Sequence, residues 1–255
     1  MTAPVSKVEF LIAGVQKGGT TALFDYLRDH PQLNLAPEKE VHFFDDEAQN
    51  WSAPDYDAFH ARFAPAGPGR ISGEATPIYI YWPDSLERIR AYNPEMKLIL
   101  LFRDPIARAW SQWRMEHARG AESEPFAWCI REGRDRLADS EKPGFHRVYS
   151  YVERGFYAAQ LRRILELFPR EQILILRSAD LDQHPAEVLG QVFEFLGVSP
   201  QKNVSPRRVH VTAPPPAGER ITQADVTHLK AVFADDVREF RNLTGKSLPG
   251  EINVT

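Results

Sequence analysis

The sequence lacks the features of disulfide-rich and membrane-spanning proteins. Cys129 is the only cysteine among 255 residues, so the chain cannot form an internal disulfide and a thiolate metal cluster is not expected. No apolar run approaches the roughly 18 residues that a membrane helix needs. We therefore expect Cys129 to be a small, buried apolar side chain.

An excess of positive charge is also absent. The 31 Lys and Arg residues are outnumbered by 35 Asp and Glu residues, which gives a formal net charge of −4. The sequence therefore has no overall basic field for nucleic acids or anionic membranes, and a polyanionic ligand must be held locally. No long apolar segment of the signal-peptide type precedes the first predicted strand, so we expect a cytoplasmic protein without a nucleic-acid or membrane partner. The length and the 43% hydrophobic content predict a single domain over residues 1–255.

The most informative segment runs from an apolar strand, predicted over Val8–Gly14, through a glycine-rich turn into a helix start. The turn reads Lys17-Gly18-Gly19-Thr20-Thr21. Backbone N–H groups at a helix N-terminus have no intrahelical partner and carry the positive end of the helix dipole. Lys17 adds a charge and the two threonines add donors, so the segment predicts a phosphate site. The lysine precedes the glycine pair, which distinguishes this loop from the Walker loop.

Apolar strands alternate with helical segments along the chain. Further strands are predicted at residues 71–77, 97–103 and 172–177. Helices are predicted at residues 20–29, 55–63, 83–92, 125–136, 153–168, 185–196 and 223–243, with another that begins after Asp104-Pro105. This alternation predicts an α/β fold, a three-layer P-loop-like fold with a central parallel sheet flanked by helices. Ligands of such sheets bind at the carboxyl ends of the strands.

Two other segments carry groups suited to chemistry. In Arg103-Asp-Pro-Ile-Ala-Arg-Ala-Trp-Ser111, aspartate stands at the helix N-cap and proline at the first helical position. Ser111, on the second turn, lies near enough to the helix start to share a ligand with Arg103, whose planar fork of donors suits a phosphate. The segment Lys39-Glu-Val-His-Phe-Phe-Asp45 is too charged for a core strand and too aromatic for a free linker, so we place it near a pocket.

Together these motifs resemble the sulfotransferases that use 3′-phosphoadenosine 5′-phosphosulfate (PAPS), and the resemblance covers most of the chain. Lys17–Thr21 resembles the family's loop for the 5′-phosphosulfate, and Arg103–Ser111 resembles its 3′-phosphate motif. Lys39–Asp45 resembles the acceptor-side segment of the branch that contains heparan-type carbohydrate and bacterial tailoring sulfotransferases. The resemblance implies a sulfotransferase with PAPS as co-substrate and no metal requirement.

The resemblance also implies catalytic roles for three residues. Lys17 contacts the bridging region of the phosphosulfate and stabilises the leaving nucleotide. Glu40 takes the proton from the acceptor, for which a hydroxyl is the first candidate and an amine the second, and His42 supports Glu40 or replaces it as base. PAPS contacts are implied for the loop, the mid-chain motif and a late basic pair: Lys17, Gly18, Gly19, Thr20, Thr21, Arg103, Ser111, Arg207 and Arg208.

The resemblance leaves the acceptor open as a small molecule, a carbohydrate or a carrier-bound metabolite. Carbohydrate-acting relatives often carry a lysine where this chain has Ala75, which argues against a highly anionic glycosaminoglycan. Two other functions also stay open. The same α/β layout would suit a P-loop-type nucleotide kinase, although the lysine position and the missing Ser/Thr magnesium ligand count against it. A non-catalytic nucleotide-binding protein is the third interpretation, and Glu40 pointing away from the phosphosulfate site would favour it.

Overall fold

The structure, a computed structural model, describes residues 7–140, 142–201 and 214–248. These residues fall into two compact units. The first comprises residues 7–102 and 164–201, and the second comprises residues 103–163 and 214–248. The single domain predicted over residues 1–255 stays a prediction.

Five strands and nine α-helices are found among the described residues. The strands are β1 (Val8–Gly14), β2 (Leu33–Leu35), β3 (Ile71–Ala75), β4 (Lys97–Phe102) and β5 (Ile173–Arg177). The helices are α1 (Thr20–Arg28), α2 (Tyr56–His60), α3 (Ser85–Tyr92), α4 (Pro105–Ala118), α5 (Phe126–Cys129), α6 (Tyr157–Leu167), α7 (Ser178–Gln183), α8 (Pro185–Leu196) and α9 (Gln223–Thr244).

The first unit contains a parallel sheet with the strand order β2-β3-β1-β4-β5. This confirms the predicted P-loop-like α/β fold with a central parallel sheet flanked by helices. Because the strands are parallel, their carboxyl ends lie along one edge of the sheet. After β1 the chain passes to β2 at one edge of the sheet, and after β4 it passes to β5 at the other, so the crevice expected for a ligand lies at the carboxyl ends of β1 and β4.

The core of the first unit joins the sheet to α1 and α8. Phe10 and Ile12 of β1 pack with Leu23 and Leu27 of α1, and Val192 of α8 belongs to the same buried cluster. Neighbouring β3 makes room for the Phe10 ring through Gly73, where a Cβ atom would lie 2.3 Å from that ring. Alternation along β3 then directs Ala75 to this cluster and the intervening Glu74 to the opposite face of the sheet.

The second unit packs α4, α5 and α9 around an aromatic core that includes Trp113, Phe126 and Phe233. A buried carboxylate, Glu122, accepts hydrogen bonds from Arg136, from the Tyr151 hydroxyl at 3.0 Å and from the Cys129 thiol at 3.3 Å. Cys129 is fully buried, as expected, and burial raises the pKa of its thiol to about 12.

Two predicted helices are shorter in the structure. The helix predicted at residues 125–136 is α5 followed by a 3-10 helix over Glu132–Leu137. Gly133 packs against Trp128, and a Cβ at position 133 would lie 2.7 Å from the indole ring. The helix predicted at residues 153–168 begins as a 3-10 turn over Glu153–Gly155 and continues as α6. Gly155 packs against the ring of Phe233, and a Cβ atom at position 155 would lie 2.6 Å from that ring.

The remaining predicted elements match the structure within three residues at each end, whereas β2 and α7 were not predicted. Both are too short for a clear periodic signal. Across the described ranges, no helix combines the length and apolar character required to cross a bilayer.

Candidate active site

The predicted phosphate loop connects β1 to α1. The Val15 N–H donates to the Leu101 carbonyl at 3.0 Å, and the Gly18 N–H donates to the Val15 carbonyl at 2.9 Å. A Cβ at Gly18 would lie 2.3 Å from the Leu101 carbonyl oxygen, so only glycine fits there. Gly19 has a φ of 91° and is the N-cap of α1, whose first turn contains no acidic residue. These properties leave backbone N–H groups and the positive helix end accessible to an anion.

The segment that carries Glu40 and His42 lies at the adjoining strand end. The Glu40 N–H donates to the carbonyl of Ala75, the last residue of β3, at 2.9 Å. This segment follows β2 in the chain, and since β3 pairs with β1, it contacts the carboxyl end of the strand next to the one that leads into the phosphate loop. Glu40 and His42 have φ values of 64° and 54°, in the left-handed region that non-glycine residues rarely adopt.

Glu40, His42 and Asp45 form a chain of charges. The His42 Nδ1 atom lies 2.9 Å from Asp45 Oδ2, and His42 Nε2 lies 3.7 Å from Glu40 Oε2. On the other side of the glutamate, Lys39 Nζ lies 2.7 Å from Glu40 Oε1. Asp45 is fully buried, whereas the Glu40 side chain is 40% exposed. The imidazole therefore lies between a buried carboxylate and one that solvent can reach.

The charges in this chain shift two pKa values in opposite directions. The nearby imidazole of His42, reinforced by Lys39, lowers the pKa of Glu40 to about 2 despite partial burial. The hydrogen bond to Asp45, and secondly the contact with Glu40, raise the pKa of His42 to about 9. At neutral pH, Glu40 is therefore ionised and His42 is protonated.

A second, fully buried group of polar residues supports this segment from β3. The Thr76 hydroxyl donates to Glu74 Oε2 at 2.7 Å and accepts the His42 N–H at 3.4 Å. The Tyr79 hydroxyl accepts the N–H groups of Phe43 at 3.1 Å and Phe44 at 3.4 Å. Burial raises the pKa of Glu74 to about 7, partly offset by the Thr76 and Tyr79 hydroxyls.

In the second unit, the residues of the predicted 3′-phosphate motif lie at the start of α4. Asp104 accepts the Ala107 N–H at 2.7 Å and Pro105 is the first helical residue, as predicted. Arg103 precedes this cap, and Ser111 is buried on the second turn. Arg114 lies three residues beyond Ser111 on the same helix face. Burial, and secondly the charge of Arg103, lower the pKa of Arg114.

The structure thus places the predicted residues in two groups. Lys17 to Thr21, Glu40 and His42 belong to the first unit, whereas Arg103 and Ser111 belong to the second. Arg207 and Arg208 lie outside the described residues. Within the described ranges, no group of three or more His, Cys, Asp or Glu side chains is arranged to hold a metal ion.

Sequence reasoning missed Asp45, Glu74 and Arg114 as members of these groups. Asp45 stands three residues after His42, a spacing that could have indicated their contact. Helical spacing likewise connects Arg114 to Ser111. Glu74 had no comparable signal, because a charged residue in a short strand is normally expected to face solvent.

Comparison with known proteins agrees with these motifs. A family model described as "Sulfotransferase domain" matches residues 7–213. Human heparan sulfate glucosamine 3-O-sulfotransferase 3B1 is 33% identical over 193 residues, which cover 74% of this chain and 45% of that protein. Membrane-associated sulfotransferase kil1 of Dictyostelium discoideum is 25% identical, over 74% of this chain and 56% of kil1. The chain spans about half the length of these relatives.

Solved structures give a more complete overlap. A sulfotransferase from Alicyclobacillus acidocaldarius superposes with a TM-score of 0.77 at 26% identity, covering 95% of this chain and 98% of the other. The mouse sulfotransferase SULT7A1, crystallised with PAP, shares the fold with a TM-score of 0.56 at 13% identity, over 92% of this chain and 86% of that one.

Proposed function

The chain belongs to the sulfotransferase family and is an enzyme of that family, and we propose that it transfers the sulfuryl group of PAPS to an acceptor hydroxyl or, less readily, amine. The observation that carries this proposal is the position of Glu40, whose backbone N–H donates to the carbonyl at the end of β3. β3 pairs with β1, the strand that leads into the phosphate loop. This arrangement suits a carboxylate that acts on an acceptor beside a bound phosphosulfate.

We assign the parts of PAPS to separate groups of residues. The backbone of residues 17–21, the threonine hydroxyls and the Lys17 ammonium bind the 5′-phosphosulfate. The close approach of Gly18 to Leu101, which leaves the turn without side-chain bulk, supports this assignment. Arg103 and Ser111 bind the 3′-phosphate, and Arg207 and Arg208 are proposed to contribute further contacts.

In the proposed reaction, the acceptor oxygen forms a bond to sulfur while the bond between sulfur and the bridging oxygen of PAPS breaks. The electron pair of the broken bond leaves with adenosine 3′,5′-bisphosphate (PAP), and Lys17 stabilises the charge that develops on the bridging oxygen. Glu40 takes the proton of the acceptor. A positioned base of this kind contributes roughly 10²- to 10⁴-fold to the rate.

His42 supports Glu40 rather than replacing it at neutral pH. With a pKa of about 9, the imidazole already holds its proton, donates a hydrogen bond to Asp45 and forms an ion pair with Glu40. His42 first, and then Lys39, weaken the glutamate as a base in the resting protein. An acceptor that displaces Lys39 from Glu40 Oε1 would raise its basicity at the moment of reaction.

We propose an acceptor of low negative charge, as a small molecule, a carbohydrate or a carrier-bound metabolite. Glu38 and Asp46 flank the acceptor-side segment of residues 39–45, the formal net charge of the chain is −4, and Ala75 adds no positive charge at the end of β3. The human relative named above is a heparan sulfate glucosamine 3-O-sulfotransferase, and we extend only the transfer to a hydroxyl to this chain. The cytoplasmic location likewise stays a prediction.

A binding titration followed by a transfer assay tests this function. The protein is titrated with PAP and, separately, with ATP and magnesium. It is then incubated with ³⁵S-labelled PAPS and each of three acceptors: p-nitrophenol, glucosamine and a heparan sulfate oligosaccharide. We expect tight binding of PAP, little binding of ATP, and labelling of a neutral acceptor. Preference for ATP with magnesium would instead support the kinase, and PAP binding without transfer to any acceptor would support a non-catalytic nucleotide-binding protein.

A further inference from the structure

Three consecutive backbone N–H groups of the Glu40 segment donate to only two side-chain hydroxyls. Thr76 accepts the His42 N–H, and Tyr79 accepts those of Phe43 and Phe44. Thr76 and Tyr79 are both fully buried. The segment contains no helix or strand between residues 38 and 45, so these hydroxyls replace the backbone partners that regular structure would supply.

Glu74 determines how Thr76 can act. A threonine hydroxyl has one proton and can also accept hydrogen bonds. Because Thr76 donates its proton to Glu74 Oε2, its oxygen faces the His42 N–H as an acceptor. Glu74 is fully buried, and no donor among the described residues reaches its Oε1 atom within hydrogen-bond distance. A buried carboxylate with an unused oxygen is costly, so its retention points to a role beyond packing.

The backbone of the segment needs such support. Glu40 and His42 have left-handed φ values, and a non-glycine residue keeps this conformation only where its surroundings impose it. The buried Phe43 ring stacks on Phe59 at 4.5 Å between centroids. Further restraint comes from the Ala75 carbonyl and the two hydroxyls.

We propose that Glu74, Thr76 and Tyr79 act together as positioning residues for the Glu40 base. Glu74 orients the Thr76 hydroxyl, and Thr76 and Tyr79 hold the backbone of residues 42–44. This backbone fixes the direction from which His42 and Asp45 meet Glu40. The inference rests on the proposed function for its catalytic part, whereas the restraint on the backbone can be tested without any activity.

The first experiment measures amide hydrogen exchange of residues 40–46. Tyr79→Phe keeps the ring and removes the hydroxyl, and Thr76→Val keeps the shape and removes the acceptor. We expect the Phe43 and Phe44 amides to exchange at least about 10-fold faster in Tyr79→Phe than in wild type. In Thr76→Val, we expect the same acceleration for the His42 amide. Tyr92→Phe is the matched control, because it removes a buried hydroxyl that accepts the Val8 N–H instead. Unchanged exchange at residues 42–44 in both variants would overturn the proposal.

The second experiment measures kcat, KM for the acceptor and PAP affinity. We expect Thr76→Val and Glu74→Leu to lower kcat about 10-fold or more, because a displaced base loses much of its effect. PAP affinity should stay within about twofold, since neither residue belongs to the phosphate loop. Thr76→Ser and Glu74→Gln, which retain an acceptor for each hydrogen bond, should restore most of kcat. Equal losses in the conservative and disruptive variants would contradict the proposed role of these hydrogen bonds.

The third experiment separates positioning from general stability. Thr76→Val is combined with Glu40→Gln, which removes the base itself. We expect Thr76→Val to cause less than about a twofold further loss of kcat in this background, because there is no base left to position. A full, additive loss would show that Thr76 acts independently of Glu40. Absence of transfer by the wild-type protein would refute the proposed function, and the amide exchange would still decide whether the hydroxyls hold the segment.

Discussion

The Nδ1 atom of His42 lies 2.9 Å from Oδ2 of Asp45, a carboxylate with no solvent exposure. This contact fixes one side of the imidazole and stabilises its protonated form, so that the opposite nitrogen faces Glu40 as a donor. The pair thereby explains both the raised pKa of His42 and the lowered pKa of Glu40.

Removal of His42 should therefore raise the pKa of Glu40. The contact with His42 is the largest cause of the lowered value of about 2, so in His42→Ala we expect the pKa of Glu40 to move by more than about one unit towards its ordinary value of 4.5. Carbon-13 NMR of the glutamate carboxyl carbons during an acid titration measures this shift, with Glu40→Gln identifying the resonance. A Glu40 resonance that still titrates near 2 in His42→Ala would contradict this account.

Because of the His42 contacts, the free energy of unfolding should fall as the pH becomes alkaline. The folded pKa of about 9 exceeds the ordinary 6.5, so the stabilisation from His42 is fully present below 6.5 and is lost as pH rises through 9. Denaturant unfolding at several pH values should show wild type and His42→Ala converging between pH 6.5 and 9.5. A constant difference across this range would exclude the effect.

Loss of the base should leave nucleotide binding nearly unchanged. Glu40→Gln keeps the size of the side chain but removes its ability to accept a proton, so we expect kcat to fall by about 10²- to 10⁴-fold. PAP affinity, measured by calorimetry, should change less than threefold, or by less than about 0.7 kcal/mol. Undiminished turnover would remove Glu40 from the role of base.

Arg103 and Arg114 should act on nucleotide affinity. A charge-assisted hydrogen bond contributes about 1.5–3 kcal/mol, so Arg103→Ala should weaken PAP binding by roughly 10- to 100-fold. We expect Arg114→Ala to cause a smaller loss of PAP affinity. Arg114 interacts with the charge of Arg103, and its proposed contribution is to the positive charge of the site rather than a direct hydrogen bond to the phosphate. Arg119→Ala is a suitable control, since this arginine lies at the end of α4 and is 60% exposed. Unchanged PAP affinity in Arg103→Ala would refute the 3′-phosphate assignment.

Glu74→Gln should change stability in a pH-dependent way. The folded pKa of about 7 lies above the ordinary 4.5, so the contribution of Glu74 to wild-type stability is fully present below pH 4.5, falls as pH rises through 7, and is constant at higher pH. Relative to wild type, Glu74→Gln should therefore become more stable by on the order of 3 kcal/mol between pH 4.5 and 8. Urea unfolding at the two pH values measures this change. Glu38→Gln, at an exposed position, is the control, and its stability relative to wild type should change by less than about 0.5 kcal/mol between the two pH values. An equally small change for Glu74→Gln would contradict the raised pKa of Glu74.

The fold was largely predictable because its strands and helices carry strong local signals. The continuous apolar residues of β1 and β4 predicted buried parallel strands, and Asp104 with Pro105 predicted the start of α4. The strand order could not be predicted, because it depends on contacts between distant segments. The break between α5 and the following 3-10 helix likewise depends on the approach of Gly133 to Trp128.

The candidate site was predictable only where its residues follow one another in the chain. The phosphate loop and the Glu40 segment were identified as continuous motifs, although their catalytic and binding roles stay predictions. The hydrogen bonds from the backbone N–H groups of residues 42–44 to the hydroxyls of Thr76 and Tyr79 join segments more than 30 residues apart. Their polar atoms are satisfied by tertiary contacts that no local pattern encodes.

Because Cys129 is buried, the reactivity of its thiol can be used to measure local unfolding of the second unit. A thiol that is fully enclosed, hydrogen-bonded to Glu122 and raised to a pKa of about 12 reacts slowly with alkylating agents while the unit is closed. Since the sequence has no other cysteine, every labelled molecule records one opening event at this position. The rate of alkylation thus measures the rate of local opening around α5 without an introduced label site.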